Sequence, residues 1–143
     1  MKHSRSFHVG WLLAAAVLLA SCAGVRTLPQ QDAAQHARFN AYAGAPVNEF
    51  MWVASHRGRS AIWTNQVVAW ANINRPYLLT VAQPCPNLML ANGIRITSTM
   101  NTVRARTDYV IARGRHCEIQ KIQPVHYLRM QRDLRQKRQA AAG

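Results

Sequence analysis

The sequence predicts an α+β domain that is mainly β: a small antiparallel sheet, or partly closed barrel, of about six to eight short strands flanked by N- and C-terminal helices. Three observations predict it. With 143 residues, 49% of them hydrophobic and 16% charged, the chain has the composition of one folded domain. After Pro46, short aromatic and β-branched segments alternate with Gly, Pro and Asn clusters. At both ends the apolar spacing turns helical.

Each element follows from a local pattern. Residues 31–43 carry Ala34, Ala37, Phe39 and Ala41 among polar neighbours, an amphipathic helix closed by Gly44, with Asp32 suiting the dipole of its first turn. Segments 50–55 and 61–64 predict a hairpin through Arg57-Gly58-Arg59. Segments 66–71 and 77–82 flank the turn cluster Asn72-Ile73-Asn74-Arg75-Pro76. A third hairpin is expected from 94–97 and 102–106, with Arg104 and Arg106 pointing outward. Segments 109–112 and 117–122 join tightly through Arg113-Gly114-Arg115. Ile119 and Ile122 are three apart and cannot share a face of a regular strand, so a β-bulge or a strand end is predicted near Gln120-Lys121. Pro84-Cys85-Pro86-Asn87 reads as a rigid turn. In residues 127–138, Leu128 and Leu134, together with Tyr127 and Met130, are expected to face the domain. Arg129, Arg132, Arg135, Lys137 and Arg138 face water.

Ahead of this domain, Lys2 and Arg5 precede an apolar run, residues 9–20, that falls short of the ~20 residues needed to span a bilayer. Residues 1–21 therefore read as a signal peptide. The run ends in Leu19-Ala20-Ser21-Cys22, which resembles the lipobox of bacterial lipoproteins. That resemblance implies a diacylglycerol on the Cys22 thiol, cleavage before it, and acyl chains, palmitate among them, that hold the protein on a membrane. Ordinary cleavage, leaving Cys22 unmodified, is the alternative. The organisation that follows is a lipidated tether at 22–30, a β-rich domain at 31–126 and a basic helical tail at 127–143. By the same resemblance, Ala23 implies sorting to the outer membrane, facing the periplasm. Lipid on Cys22 leaves Cys85 and Cys117, either as a disulfide or as two buried thiols.

Lys and Arg total 18 against 5 Asp and Glu, a net charge of +13; loss of Lys2 and Arg5 with the leader leaves about +11. Such a cation attracts polyanions. In a cell envelope these are anionic lipid, phosphorylated glycolipid and acidic wall polymer, so nucleic acid is not an expected partner. Alternatively, the arginines serve solubility alone. The expected contact is Arg129, Arg132, Arg135, Lys137 and Arg138, docking an anionic surface or a protein partner.

No enzyme, metal or cofactor is expected. The acids Asp32, Glu49, Asp108, Glu118 and Asp133 are dispersed, each expected beside a surface arginine. His36, His56, His116 and His126 show no zinc-protease or Cys/His zinc spacing. Ser55, Ser60 and Ser98 lack a nucleophile elbow, and there is no Gly-rich phosphate loop. Trp52, Trp63 and Trp70 are expected to pack in the core. The alternative makes them an aromatic-lined pocket for a small ligand.

Certain residues also occur in a characteristic order. They are Ala43-Gly44-Ala45-Pro46-Val47 with Phe50; Tyr77-Leu78-Leu79-Thr80-Val81; Cys85-Pro86 with Leu88; Ile94 with Ile96-Thr97-Ser98; and Cys117-Glu118-Ile119 with Ile122, Pro124 and Val125. In these the chain resembles a family of small proteobacterial envelope proteins, many of them lipoproteins, that share a domain of unknown function. The resemblance covers about residues 38–125 and leaves the basic tail outside. It supports the fold and the location and implies no activity.

Overall fold

The computed structural model describes residues 28–52 and 58–143. In chain order these form α1 (Leu28–Ala41), β1 (Glu49–Met51), β2 (Arg59–Trp63), β3 (Gln66–Asn72), β4 (Arg75–Val81), β5 (Ile94–Ile96), β6 (Thr102–Arg104), β7 (Tyr109–Ala112), β8 (Arg115–Pro124) and α2 (Tyr127–Ala142). Six strands make one antiparallel sheet in the order β2-β3-β4-β8-β7-β5, and β1 pairs with β6 as a separate ribbon. The sheet curls until its edges nearly meet. Across that gap the Arg59 guanidinium of β2 donates a hydrogen bond to the Ile94 carbonyl of β5.

The apolar runs in β3 and β4 explain the centre of the architecture. In β3 Val67, Val68 and Ala69 are all buried, and in β4 so are Leu78 and Leu79. Strands covered on both faces need such continuous runs. Val67, Ala69, Leu79 and Val81 point into the barrel, where they meet Ile119 and Ile122 of β8. Val68 and Leu78 point outward into a second cluster with Ile62, Phe39 and Met130, so the two helices cover this outer face.

Of the bulge and the strand end that the Ile119 and Ile122 spacing allows, the bulge is present, and β8 continues through it to Pro124. Thr80 pairs with Lys121 and Val81 with Ile119, skipping Gln120; both isoleucines are buried while Gln120 and Lys121 are exposed. The Arg113-Gly114 turn joins β7 to β8 with both φ values positive, 50° and 78°, as a two-residue type I′ hairpin requires. Cys85 and Cys117 form a disulfide with Cα atoms 5.8 Å apart. It ties the turn at Pro84, preceded by a cis peptide bond, to the start of β8.

Two predicted hairpins pair differently. β1 does not fold back on β2: Phe50 lies opposite Val103 of β6, and β2 pairs instead with β3 across Thr64-Asn65. The ribbon lets Phe50 stack on Tyr77 at 4.2 Å inside the barrel cluster, a long-range burial that no local turn signal encodes. Segments 94–97 and 102–106 likewise do not pair with each other. β5 aligns Ile94 and Ile96 with Ala112 and Val110 of β7, and the Thr99 to Thr102 bridge closes the loop between the two segments.

The helices differ in detail. α1 begins at Leu28 and ends at Ala41, so Gly44 is not its cap. Gly44 sits instead at a close approach: a Cβ there would lie 3.3 Å from His126 Nε2 and 3.4 Å from Pro124, so those neighbours would have to shift slightly to admit one. Leu128 is not on the inner face of α2; it is 63% exposed, whereas Met130 is buried. Two residues of helix rotate a side chain by about 200°, so the two cannot share a face.

Candidate functional site

Both helices are held against the sheet by few contacts. α1 inserts Phe39, and Asn40 and the buried Gln66 exchange amide hydrogen bonds at 2.8 and 3.1 Å. α2 inserts Met130 and packs Leu134 and Tyr127, with Tyr127 edge-on to Trp70 at 4.8 Å. The exit of α1 is pinned to the entry of α2, since His126 N–H donates to the Tyr42 carbonyl at 2.9 Å and Gly44 N–H to that of Pro124 at 2.7 Å.

Between the helices lies an open cleft of about 670 Å³. It persists because α1 presents Ala34, Ala37 and Ala41 to it, and a methyl group cannot fill the space. Its charged lining comes from both sides: Arg38 from α1, and Arg129, Asp133 and Lys137 from α2, with His126 at the closed end. Positions 129, 133 and 137 are four apart and so share one line of the helix. Tyr42 O–H donates to Asp133 Oδ2 at 2.7 Å across the cleft. That bond, followed by burial and the carboxylate charge, raises the phenol above its ordinary 10.0, and Arg129 opposes the rise. Among the described residues the one ion pair is Arg104 with Glu49 at 2.9 Å, so no carboxylate neutralises Arg38, Arg129 or Lys137 by direct pairing.

The five basic residues predicted as one contact are therefore divided. Arg129 and Lys137 turn into the cleft. Arg132 and Arg135 are exposed and do not line the cleft; they share the helical phase of the projecting Leu128. Arg138 Nε donates back to the Leu134 carbonyl at 3.3 Å. Sequence reasoning missed Arg38 and Tyr42. The alanine spacing of α1 was visible, but nothing local says which helix it faces.

The expectation of a surface arginine beside every acid holds for Glu49 alone. Asp108 is buried and accepts from Thr97 Oγ1 at 2.7 Å and from the Arg104 N–H at 2.8 Å. These bonds fix the tight loop in which Arg106 adopts φ 62°. A buried carboxylate satisfied by a hydroxyl and an amide replaces the salt bridge. Glu118 accepts from the Gln120 amide at 3.1 Å.

The three tryptophans do not assemble. Trp52 joins the barrel cluster with Arg59 5.6 Å above its ring, Trp70 packs in the helix-side cluster, and Trp63 stacks on His36 at 4.3 Å. None lines the helix cleft, the 270 Å³ cleft beside Cys85 or the 490 Å³ cleft beside β1 and β6. His116 is exposed and meets the edge of Tyr109. Among the described residues no three His, Cys, Asp or Glu side chains come together as a metal site, and no helix is long and apolar enough to cross a membrane. The predicted leader, Cys22, Ser55 and His56 lie outside the described residues.

A model described as Family of unknown function (DUF6491) matches residues 5–142. The match takes in α2, which corrects the expectation that the basic helix lies outside the shared segment. No curated protein and no solved structure matches the chain.

Proposed function

The chain belongs to this family of unknown function, and we propose that it is a lipid-anchored envelope protein, held by Cys22 on the periplasmic face of the outer membrane, that docks to an anionic surface through the outward side of α2. The observation that carries this reading is the projection of Leu128, 63% exposed, beside Arg132 and Arg135, for which the described residues offer no ion pair. An apolar side chain rimmed by cations suits a headgroup layer, where each Lys or Arg near an anionic surface contributes about 1 kcal/mol. The acyl chains would supply retention, and the helix face would supply orientation.

Removing α2 is a poor test, since Met130 and Leu134 would leave the core with it. A better test compares the unlipidated protein, residues 23–143, with its Leu128→Gln/Arg132→Gln/Arg135→Gln variant in sedimentation with phosphatidylglycerol vesicles. Binding that falls steeply with salt, and about tenfold in the variant, is expected; equal binding by the two proteins overturns the docking face. Intact mass of the chain purified from cells tests the anchor: an acylated Cys22 at the amino terminus is expected, and an unprocessed Met1 refutes it.

A further inference from the structure

We infer that the cleft between α1 and α2 is a binding site for a phosphomonoester. The inference does not depend on surface docking, because neither Arg132 nor Arg135 lines the cleft.

Charge selects the ligand. Arg38, Arg129 and Lys137 bring three cations to the cleft and Asp133 one carboxylate, which leaves two positive charges uncompensated. A phosphate monoester carries about −1.5 to −2 at neutral pH, whereas a diester or a carboxylate carries −1. A monoester therefore balances the site. Guanidinium groups from two different helices can each offer a planar pair of donors to phosphate oxygens, and Lys137 adds a point charge. The negative charge of Asp133 works against any anion, but Tyr42 occupies its Oδ2 and so holds the carboxylate on the Tyr42 side.

Size and shape agree with this choice. The cavity, about 670 Å³, is within the range of ~300–1,000 Å³ usual for small-molecule sites. It exceeds what one phosphate group fills, so the ester's organic part has room along the methyl groups of Ala34, Ala37 and Ala41. The closed end is fixed independently of any ligand, by the His126 to Tyr42 and Gly44 to Pro124 backbone bonds. That end of the cleft is therefore in place before a ligand arrives.

Calorimetric titration of the full chain in neutral detergent tests the site. Phenyl phosphate, a free monoester, is expected to bind at least about tenfold more tightly than the monoanionic diester diphenyl phosphate. Dihexanoyl phosphatidic acid against dihexanoyl phosphatidylglycerol repeats the comparison with lipid headgroups; monoester preference in only one pair supports the site and assigns its source as free or lipid. Arg38→Gln and Arg129→Gln should each weaken monoester binding about tenfold, and Arg95→Gln, at the exposed position of β5, should leave it unchanged. Asp133→Asn should tighten it about threefold or more by removing the opposing charge, a gain that a misfolded protein cannot show. Equal binding of monoester and diester in both pairs, wild-type affinity in the two arginine variants, or no gain in Asp133→Asn overturns the proposal.

Discussion

The two faces of β3 and β4 support hydrophobic clusters of different kinds. Inside the barrel, side chains from strands on all sides meet one another: Leu79, Val103, Val110, Ile119 and Ile122 are 0% exposed, and the Cys85 to Cys117 bridge lies among them. On the outer face, Val68 and Leu78 are just as buried, yet what covers them is Phe39, Met130 and a margin of partly buried side chains, with an amide pair for additional hold. Among the described residues, the interior of the nearly closed sheet is filled by these buried side chains. Two helices that touch the sheet by a few large side chains each do leave room between them, and Arg38, Arg129 and Lys137 line that space. The difference teaches that the stable part of the fold and the chemically distinctive part are opposite faces of the same strands.

That contrast can be broken by measurement. Leu79→Ala in the interior should cost about 3–5 kcal/mol in urea unfolding, and Met130→Ala on the helix side about 2–3, because the outer cluster is shallower and relaxes more readily. Equal costs would show that the helices are as deeply built in as the barrel. Next in size is the disulfide, whose cysteines are 32 residues apart. Cys85→Ala/Cys117→Ala should lose about 3–4 kcal/mol by the loop-closure account and leave the helix cleft unchanged, as judged by phenyl phosphate titration. The smallest effect concerns Tyr42. Its phenol is raised above 10.0 chiefly by donating to Asp133, so the stability this bond lends is complete below pH 10.0 and is lost as pH rises through the raised value. Near-ultraviolet titration should show one tyrosine ionising later than the rest, moved back toward its ordinary range by Asp133→Asn and removed by Tyr42→Phe. An unchanged titration in both variants would detach Tyr42 from Asp133 in solution.

Legibility in the sequence followed the range of the interaction. The β8 bulge was readable because it is a conflict between period two and the three-residue spacing of Ile119 and Ile122, which local geometry alone can resolve. The Arg113-Gly114 hairpin was readable from its turn residues. The partner of β1 was not, since Phe50 is placed by Tyr77 and Val103, far along the chain. The inner face of α2 was read correctly at Leu134 and wrongly at Leu128, because a basic helix with few apolar residues leaves its phase weakly specified. Of the candidate site, the cations of α2 were visible and their division between two faces was not.

Thus the amino-acid sequence by itself determined a mainly β domain with a helix at each end, the position of the bulge, a strong positive charge and a single cysteine pair available within the domain, all of which depend on neighbours a few residues apart or on counting. Only the tertiary structure decided that Arg38 lines one cleft with Arg129 and Lys137, that Asp133 is taken up by Tyr42, and that the tryptophans separate. Those relations depend on how α1 and α2 cross the outer face of one sheet, and no local pattern of residues carries the geometry of that crossing.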